Sequence, residues 1–272
     1  MDRVIRITVK ISAFITFSAL FFIIGYILLK GIPNLDISLF SLKYTTENMS
    51  LFPAMVTTLM LILLTLVIAT PIGIFTAFYL VEYAKKDSKI VEIIRIATET
   101  LSGIPSIVYG LFGMLFFVIR LNFKYSLLAG ALTVGIMVLP LIIRTTEEAL
   151  LSVDNSLREA SLALGAGKLR TIFKVALPVA MPGILSGVIL SIGRIVGETA
   201  ALMFTLGTAA KIPEGLFSSG RTLALHMYVL STEGLHVNES YATGIILLIV
   251  VLIVNGLSTL LSNKLTKGNE NE

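Results

Sequence analysis

The chain has 272 residues, 56% of them hydrophobic and 14% charged, with mean hydropathy +0.93 and formal net charge +4. A soluble domain carries about a quarter charged residues, so a soluble enzyme or binding module is excluded and a polytopic membrane protein is expected. There is no cysteine, which excludes disulfides, thiolate metal sites and thiol catalysis.

Six charge-poor windows reach the ~20 residues a helix needs to cross hydrocarbon. The first, Ile11–Leu29, follows Arg3, Arg6 and Lys10. A basic start before an apolar run is also the plan of a secretory signal, but this run exceeds the usual ~7–15 residues and "LLKGIPN" offers no small-x-small cleavage site, so an uncleaved anchor is expected. The second window, Asn48–Val81, is longer than required, with Pro53 at its start and Pro71 expected to kink it. The third and fourth, Thr100–Ile119 and Tyr125–Ile143, carry Pro105 and Pro140 near their ends. The fifth runs from about Gly183 to Leu206, and the sixth is Ser240–Asn263. The expected fold is all-α with six transmembrane helices. Residues 1–50 hold the first helix and its linker, 51–264 the main transmembrane domain, and 265–272 a tail. Of the 21 lysines and arginines, 14 fall in segments that are cytoplasmic if the N-terminus is inside, and six fall outside. The positive-inside rule then sets both termini in the cytoplasm of a cell-membrane protein.

The loop between the fourth and fifth windows, within 144–183, reads as two short amphipathic helices. Leu157, Ser161 and Leu164 recur at helical spacing until Gly165, a left-handed stop. Leu169, Ile172, Phe173 and Ala176 repeat the pattern until Pro178 ends it. "SLRE" predicts a capping box in which Glu159 reaches back to Ser156. Such a hairpin presents a rigid surface for another protein. "GAGKLRT" is not a phosphate loop, because Leu162 and Leu169 stand where glycine and a hydroxyl are required. Any energy from ATP and magnesium is therefore expected on a separate polypeptide, and this chain binds no cofactor.

Arg194 and Glu198 interrupt the fifth window. On one helix they are four residues apart, so they share a face. A central charge in a span costs roughly 2.5–3.5 kcal/mol on insertion scales. The pair is read either as an internal salt bridge that sets helix rotation or as the lining of a polar pathway. Gly183, Gly187, Gly193 and Gly197 make two G-x-x-x-G spacings suited to close helix packing. His226 and His236 match no catalytic or metal pattern and are expected to be loop residues. Paired catalytic groups for a membrane enzyme are not found, and nothing points to nucleic acid.

"EASLALGAGKLRTIFKVALP" resembles the EAA loop of ABC-transporter permeases: Glu159, Ala160 and Gly165 match it, and Val175, Leu177 and Pro178 close it, with Ser161 and Val175 as mild departures. "GRIVGETAALMFTLG", "ETLSGIPSIVYGLFGMLFFV", "LPLIIRTTEEAL" and "LALHMYVLSTEGLHVNESYAT" together resemble the PstA-type permease subunit of phosphate-uptake ABC transporters, from about Met55 to Leu265. That resemblance implies a type I permease fold, phosphate import, and a loop that plugs into an ATPase through Glu159, Ala160, Gly165, Leu177 and Pro178. It implies a PstC-type permease partner, a PstB-type ATPase dimer holding ATP and magnesium, and a PstS-type binding protein, all within membrane lipid. It also implies that Arg194 and Glu198 take part in phosphate passage. Arg144 is a further candidate, which as a helix-end cation would equally anchor the interface. A guanidinium suits phosphate oxygens, while a carboxylate beside it accepts a hydrogen bond from a phosphate that still carries a proton and repels sulfate. A permease for sulfate or molybdate is the alternative.

Overall fold

The computed structural model describes residues 2–85, 88–234 and 236–269, leaving Lys86 of the inward-facing charges and residues 270–272 outside. Its regular secondary structure among these residues is helical. Helix α1 (Asp2–Gly31) leads into two short 3-10 turns and an irregular segment ending at Leu51. Helix α2 (Phe52–Phe78) closes in a π-turn, Tyr79–Tyr83, and runs unbroken through Pro71. Helices α3 (Lys89–Gly103) and α4 (Ser106–Gly113, extended by a π-turn to Arg120) follow, then α5 (Leu127–Leu151). The hairpin comprises α6 (Asn155–Ala163) and α7 (Lys168–Thr171), the latter joined through a π-turn, Ile172–Ala176, to α8 (Leu177–Gly197). Helices α9 (Ala200–Thr205), α10 (Leu223–Glu233) and α11 (Val237–Asn269) complete the chain.

Five stretches are long and apolar enough to span a membrane, and the α3–α4 pair makes a sixth if its bent arms count as one. Three departures from the sequence reading have local causes. The third span is not straight: its arms meet at 105°. Pro105 forces Ile104 out of the helical region, to ψ 131°, and α4 restarts after it. Pro140 lies mid-way along α5, buried, not near the end of a span. Pro178 does not stop a helix: residues Lys168–Gly197 form one continuous stretch, with the π-turn just ahead of the proline. The first residues of the expected 265–272 tail are helical, as far as Asn269.

The core forms where α2, α5 and α8 pack on one another. Leu61, Val134, Met137, Ile142, Ile195 and Leu202 are fully buried there. These helices approach closely because small residues line the contacts. A Cβ at Gly73 would meet Ile142 at 2.6 Å, and one at Gly183 would meet Ala149 at the same distance. By contrast α1 rests mainly on α11, through Gly31 against Tyr241 and through Tyr26 edge-on to Tyr241 at 5.8 Å. Its apolar face is otherwise bare, which only lipid or another chain can cover.

Candidate translocation pathway and coupling surface

The fifth span breaks where the sequence reading made it continuous. Helix α8 ends at Gly197, Glu198 is extended (φ −73°, ψ 130°), and α9 begins at Ala200. Arg194 and Glu198 therefore do not share a helix face, and no salt bridge joins them. The cause is local competition for the backbone: Glu198 Oε1 accepts the N–H of Ala201 at 2.9 Å, capping α9 in place of continuing α8. Glu198 as a residue is 8% exposed.

Depth follows from helix register. Gly183 packs on Ala149, and Gly187 packs on Thr145 of the antiparallel α5. Continuing that register sets Arg194 level with Val138, mid-way along the 25-residue α5. Arg194 is half-buried within electrostatic reach of Tyr109 on α4, and it has no hydrogen bond or ion pair among the described residues. The second glycine pair frames it: a Cβ at Gly193 or Gly197 would meet nothing within 4 Å. The first G-x-x-x-G thus packs this chain's own helices, and the second leaves bare backbone beside an unpaired guanidinium. Arg144 is elsewhere. It is exposed and pairs with Glu148 one turn on, at 3.2 Å, next to a second bridge between Arg95 and Glu147 at 2.6 Å. These charges cluster on one exposed face and are not brought to Arg194 by any contact in the chain.

The hairpin has its own logic. Asp154, not Ser156, caps α6: its Oδ1 accepts the Ser156 N–H at 2.9 Å, and these bonds from Ser156 lower the Asp154 carboxyl below its usual range. The capping box expected from "SLRE" is absent, because the helix begins two residues earlier than that pattern assumes. Glu159 and Ala160 are left exposed. Gly165 ends the helix in the left-handed region (φ 82°), with the N–H of Gly165 donating to Leu162 O and that of Ala166 to Ser161 O, a Schellman stop. The tip is apolar and bare: Leu164 is 90% exposed and Leu169 62%. Leu177 packs beneath, partly buried against Ile172, Ala176, Phe78 and Ala149, and Pro178 is half-buried beside it.

Sequence reasoning missed what holds this hairpin. Arg158 is nearly buried and bonds three elements at once. Its Nε donates to Glu82 Oε1 at 3.2 Å, its Nη1 to Val153 O at 2.7 Å and Asn155 Oδ1 at 3.2 Å, and its Nη2 to Leu150 O at 2.7 Å. Lys168, at the root of the fifth span, donates to the Glu82 carbonyl and lies 4.8 Å from the Tyr83 ring. Glu82, at the end of the second span, is thus the node where α2, α5, α6 and α7 meet. A lone glutamate closing an apolar window was the available signal, but its partners lie 76 and 86 residues on.

Comparison with known proteins gives this geometry a family. Residues 69–267 match the family described as binding-protein-dependent transport system inner membrane component. The chain belongs to that family. A probable ABC transporter permease of Bacillus subtilis, YqgI, is 34% identical over 269 residues, covering 89% of this chain and 90% of that protein. The phosphate transport system permease protein PstA 1 of Mycobacterium tuberculosis is 38% identical over 192 residues, covering 70% of this chain and 62% of that protein. PstA of Pasteurella multocida is 38% identical over 205 residues, covering 72% of each. In fold, the chain is similar to the MetNI methionine ABC transporter (TM-score 0.62, 20% identity, 79% of this chain and 94% of that one). It is similar also to a bacterial alginate ABC transporter (TM-score 0.65, 16% identity, 95% and 97%). The protein is an all-α, multi-pass ABC permease subunit, a membrane component of a larger transport system and not itself an enzyme.

Proposed function

We propose that this permease forms half of the pathway of an ATP-driven phosphate importer. The observation that carries the reading is Arg194: a guanidinium at mid-helix depth, without a partner among the described residues, beside a helix break and two bare glycines. The cost of that charge is unrelieved within the chain, so it is relieved by a passing anion, by water or by the second permease subunit. The PstA relatives, named as phosphate transport permeases, supply the choice of ion.

On this reading Arg194 engages two phosphate oxygens through its fork of donors. Glu198 keeps Oε1 on the Ala201 N–H and turns its other oxygen to a phosphate that still carries a proton. A fully ionised sulfate offers no such proton. The hold is weak by design, since a conduction site must also release its ion. Arg144, in its exposed cluster, contributes to the potential at the hairpin end of the pathway. The hairpin tip, with Glu159, Ala160 and Gly165 shaping it and Leu177 and Pro178 seating it, docks on a PstB-type ATPase dimer that binds ATP and magnesium. A PstC-type subunit completes the pathway and a PstS-type protein delivers phosphate. Both chain ends lie in the cytoplasm on this reading, which the distribution of lysine and arginine supports. Phosphate uptake in cells lacking other phosphate transporters tests this. Arg194→Gln is expected to abolish uptake while the complex still assembles, and Glu198→Gln to narrow the preference for phosphate over sulfate. Normal uptake by Arg194→Gln would overturn the reading.

A further inference from the structure

A second unpaired cation lies at the end of the bundle away from the hairpin. Arg221 is 5% exposed, forms no ion pair among the described residues, and leaves its Nε and Nη2 without an acceptor. Its guanidinium carbon lies 4.7 Å from the centroid of the Tyr44 ring. That ring meets His226 edge-on at 6.0 Å. His226 is wholly buried in the first turns of α10, where the Met49 backbone lies beside its ring but no well-formed hydrogen bond reaches either nitrogen. The Tyr44 hydroxyl reaches only the Met49 thioether, at 3.0 Å, a weak acceptor.

Neighbouring polar groups do not meet this demand. Thr58 Oγ1 accepts the Leu223 N–H at 2.9 Å and donates to Ala54 O at 2.7 Å. Thr222 Oγ1 accepts the Leu225 N–H at 3.4 Å, capping α10. The cluster is thus rich in donors and poor in acceptors, at the positive end of an 11-residue helix. Burying a guanidinium with no counter-charge costs several kcal/mol, and aliphatic residues would fill the same space without that cost. Retaining these groups is rational when an acceptor comes from outside.

The geometry points to a site for a small inorganic oxyanion, gripped by the Nε–Nη2 edge of Arg221 with His226 and Tyr44 at its flank, under the 32–51 segment. The guanidinium edge presents two parallel donors, the pattern that matches two oxygens of one ion rather than a lone halide. Burial, reinforced by the charge of Arg221, lowers His226 to about 3. The ring is therefore neutral: its N–H faces the Met49 carbonyl, and one lone pair is left to accept. That combination fits an oxyanion that keeps a proton, namely phosphate. The choice of phosphate, and the extracytoplasmic side on which the ion would pause before reaching Arg194, rest on the function proposed above.

The test is the thermal unfolding midpoint of the purified full chain in phosphate-free detergent, titrated with inorganic phosphate at fixed ionic strength. An Arg194→Gln background silences the pathway cation in every arm. A midpoint that climbs with the logarithm of phosphate concentration, is lost on adding Arg221→Met, and needs about tenfold more phosphate on adding Tyr44→Phe supports the site. The Tyr44→Phe arm keeps the test decisive if Arg221→Met fails to fold. A phosphate-dependent rise that persists in both variants, no rise in the background chain, or the same rise from chloride or from phosphatidylglycerol overturns it. Phosphate uptake reports separately on Arg194, so either reading can fall while the other stands.

Discussion

Replacing Glu82 by alanine tests whether the hairpin is locked to the second span. Arg158 and Glu82 have side chains only 15% and 10% exposed, at 3.2 Å. Removing one partner of a fully buried pair costs roughly 3–5 kcal/mol, and leaving a buried donor unpaired costs about 1–3 kcal/mol. The guanidinium retains Leu150 O, Val153 O and Asn155 in the variant, so the loss is set nearer ~2–3 kcal/mol, local to α6. At about 1.4 kcal/mol per decade, amides of Asn155–Ala163 would exchange about 30- to 150-fold faster in lipid nanodiscs. Glu82→Gln keeps an acceptor and loses only the charge assistance, about 1 kcal/mol or roughly fivefold. Arg158→Met combined with Glu82→Ala would cost little more than either alone, because the two act as one unit. Protection of α6 within twofold of wild type in Glu82→Ala, with α11 amides as the internal control, would refute the lock.

Two further outcomes follow from contacts in the structure. Gly187→Ala sets a Cβ 2.7 Å from Thr145 Cβ, whereas Gly193→Ala meets nothing within 4 Å. The first is expected to lower stability by about 1–3 kcal/mol and the second to raise it by roughly 0.5–1 kcal/mol through helix propensity. Both are read from melts of the single chain, and equal melting points would count against the helix register used to set the depth of Arg194. His226 supplies a pH signature: its folded value of about 3 lies below the ordinary 6.5, so between those values the unfolded chain binds a proton the folded chain refuses. Stability present above pH 6.5 is lost as pH falls toward 3, with a slope of up to ~1.4 kcal/mol per pH unit. In phosphate-free buffer the wild-type melting point should fall between pH 6.5 and 5 more steeply than that of His226→Gln, and parallel profiles would show that His226 is not held neutral.

Much of this protein was legible in its sequence because the bilayer imposes a one-dimensional rule. A spanning segment must be long, apolar and internally hydrogen-bonded, so spacing and charge alone locate the spans and single out Arg194 and Glu198 as anomalies. The hairpin stop at Gly165 was legible too, since only a residue at ease at φ 82° ends a helix that way. Other features depend on contacts between distant residues or on competition for one backbone group. Glu198 leaves the helix because its own carboxylate caps the next one, which periodicity does not reveal. Arg158 finds Glu82 across 76 residues, and His226 loses its loop-like solvation because α10 folds inward under Tyr44. Chain pattern determined which segments cross the membrane and which charges are costly there. Tertiary packing alone decided which of those charges are neutralised inside the chain and which remain open, because neutralisation is a matter of distance in space and not of spacing along the sequence.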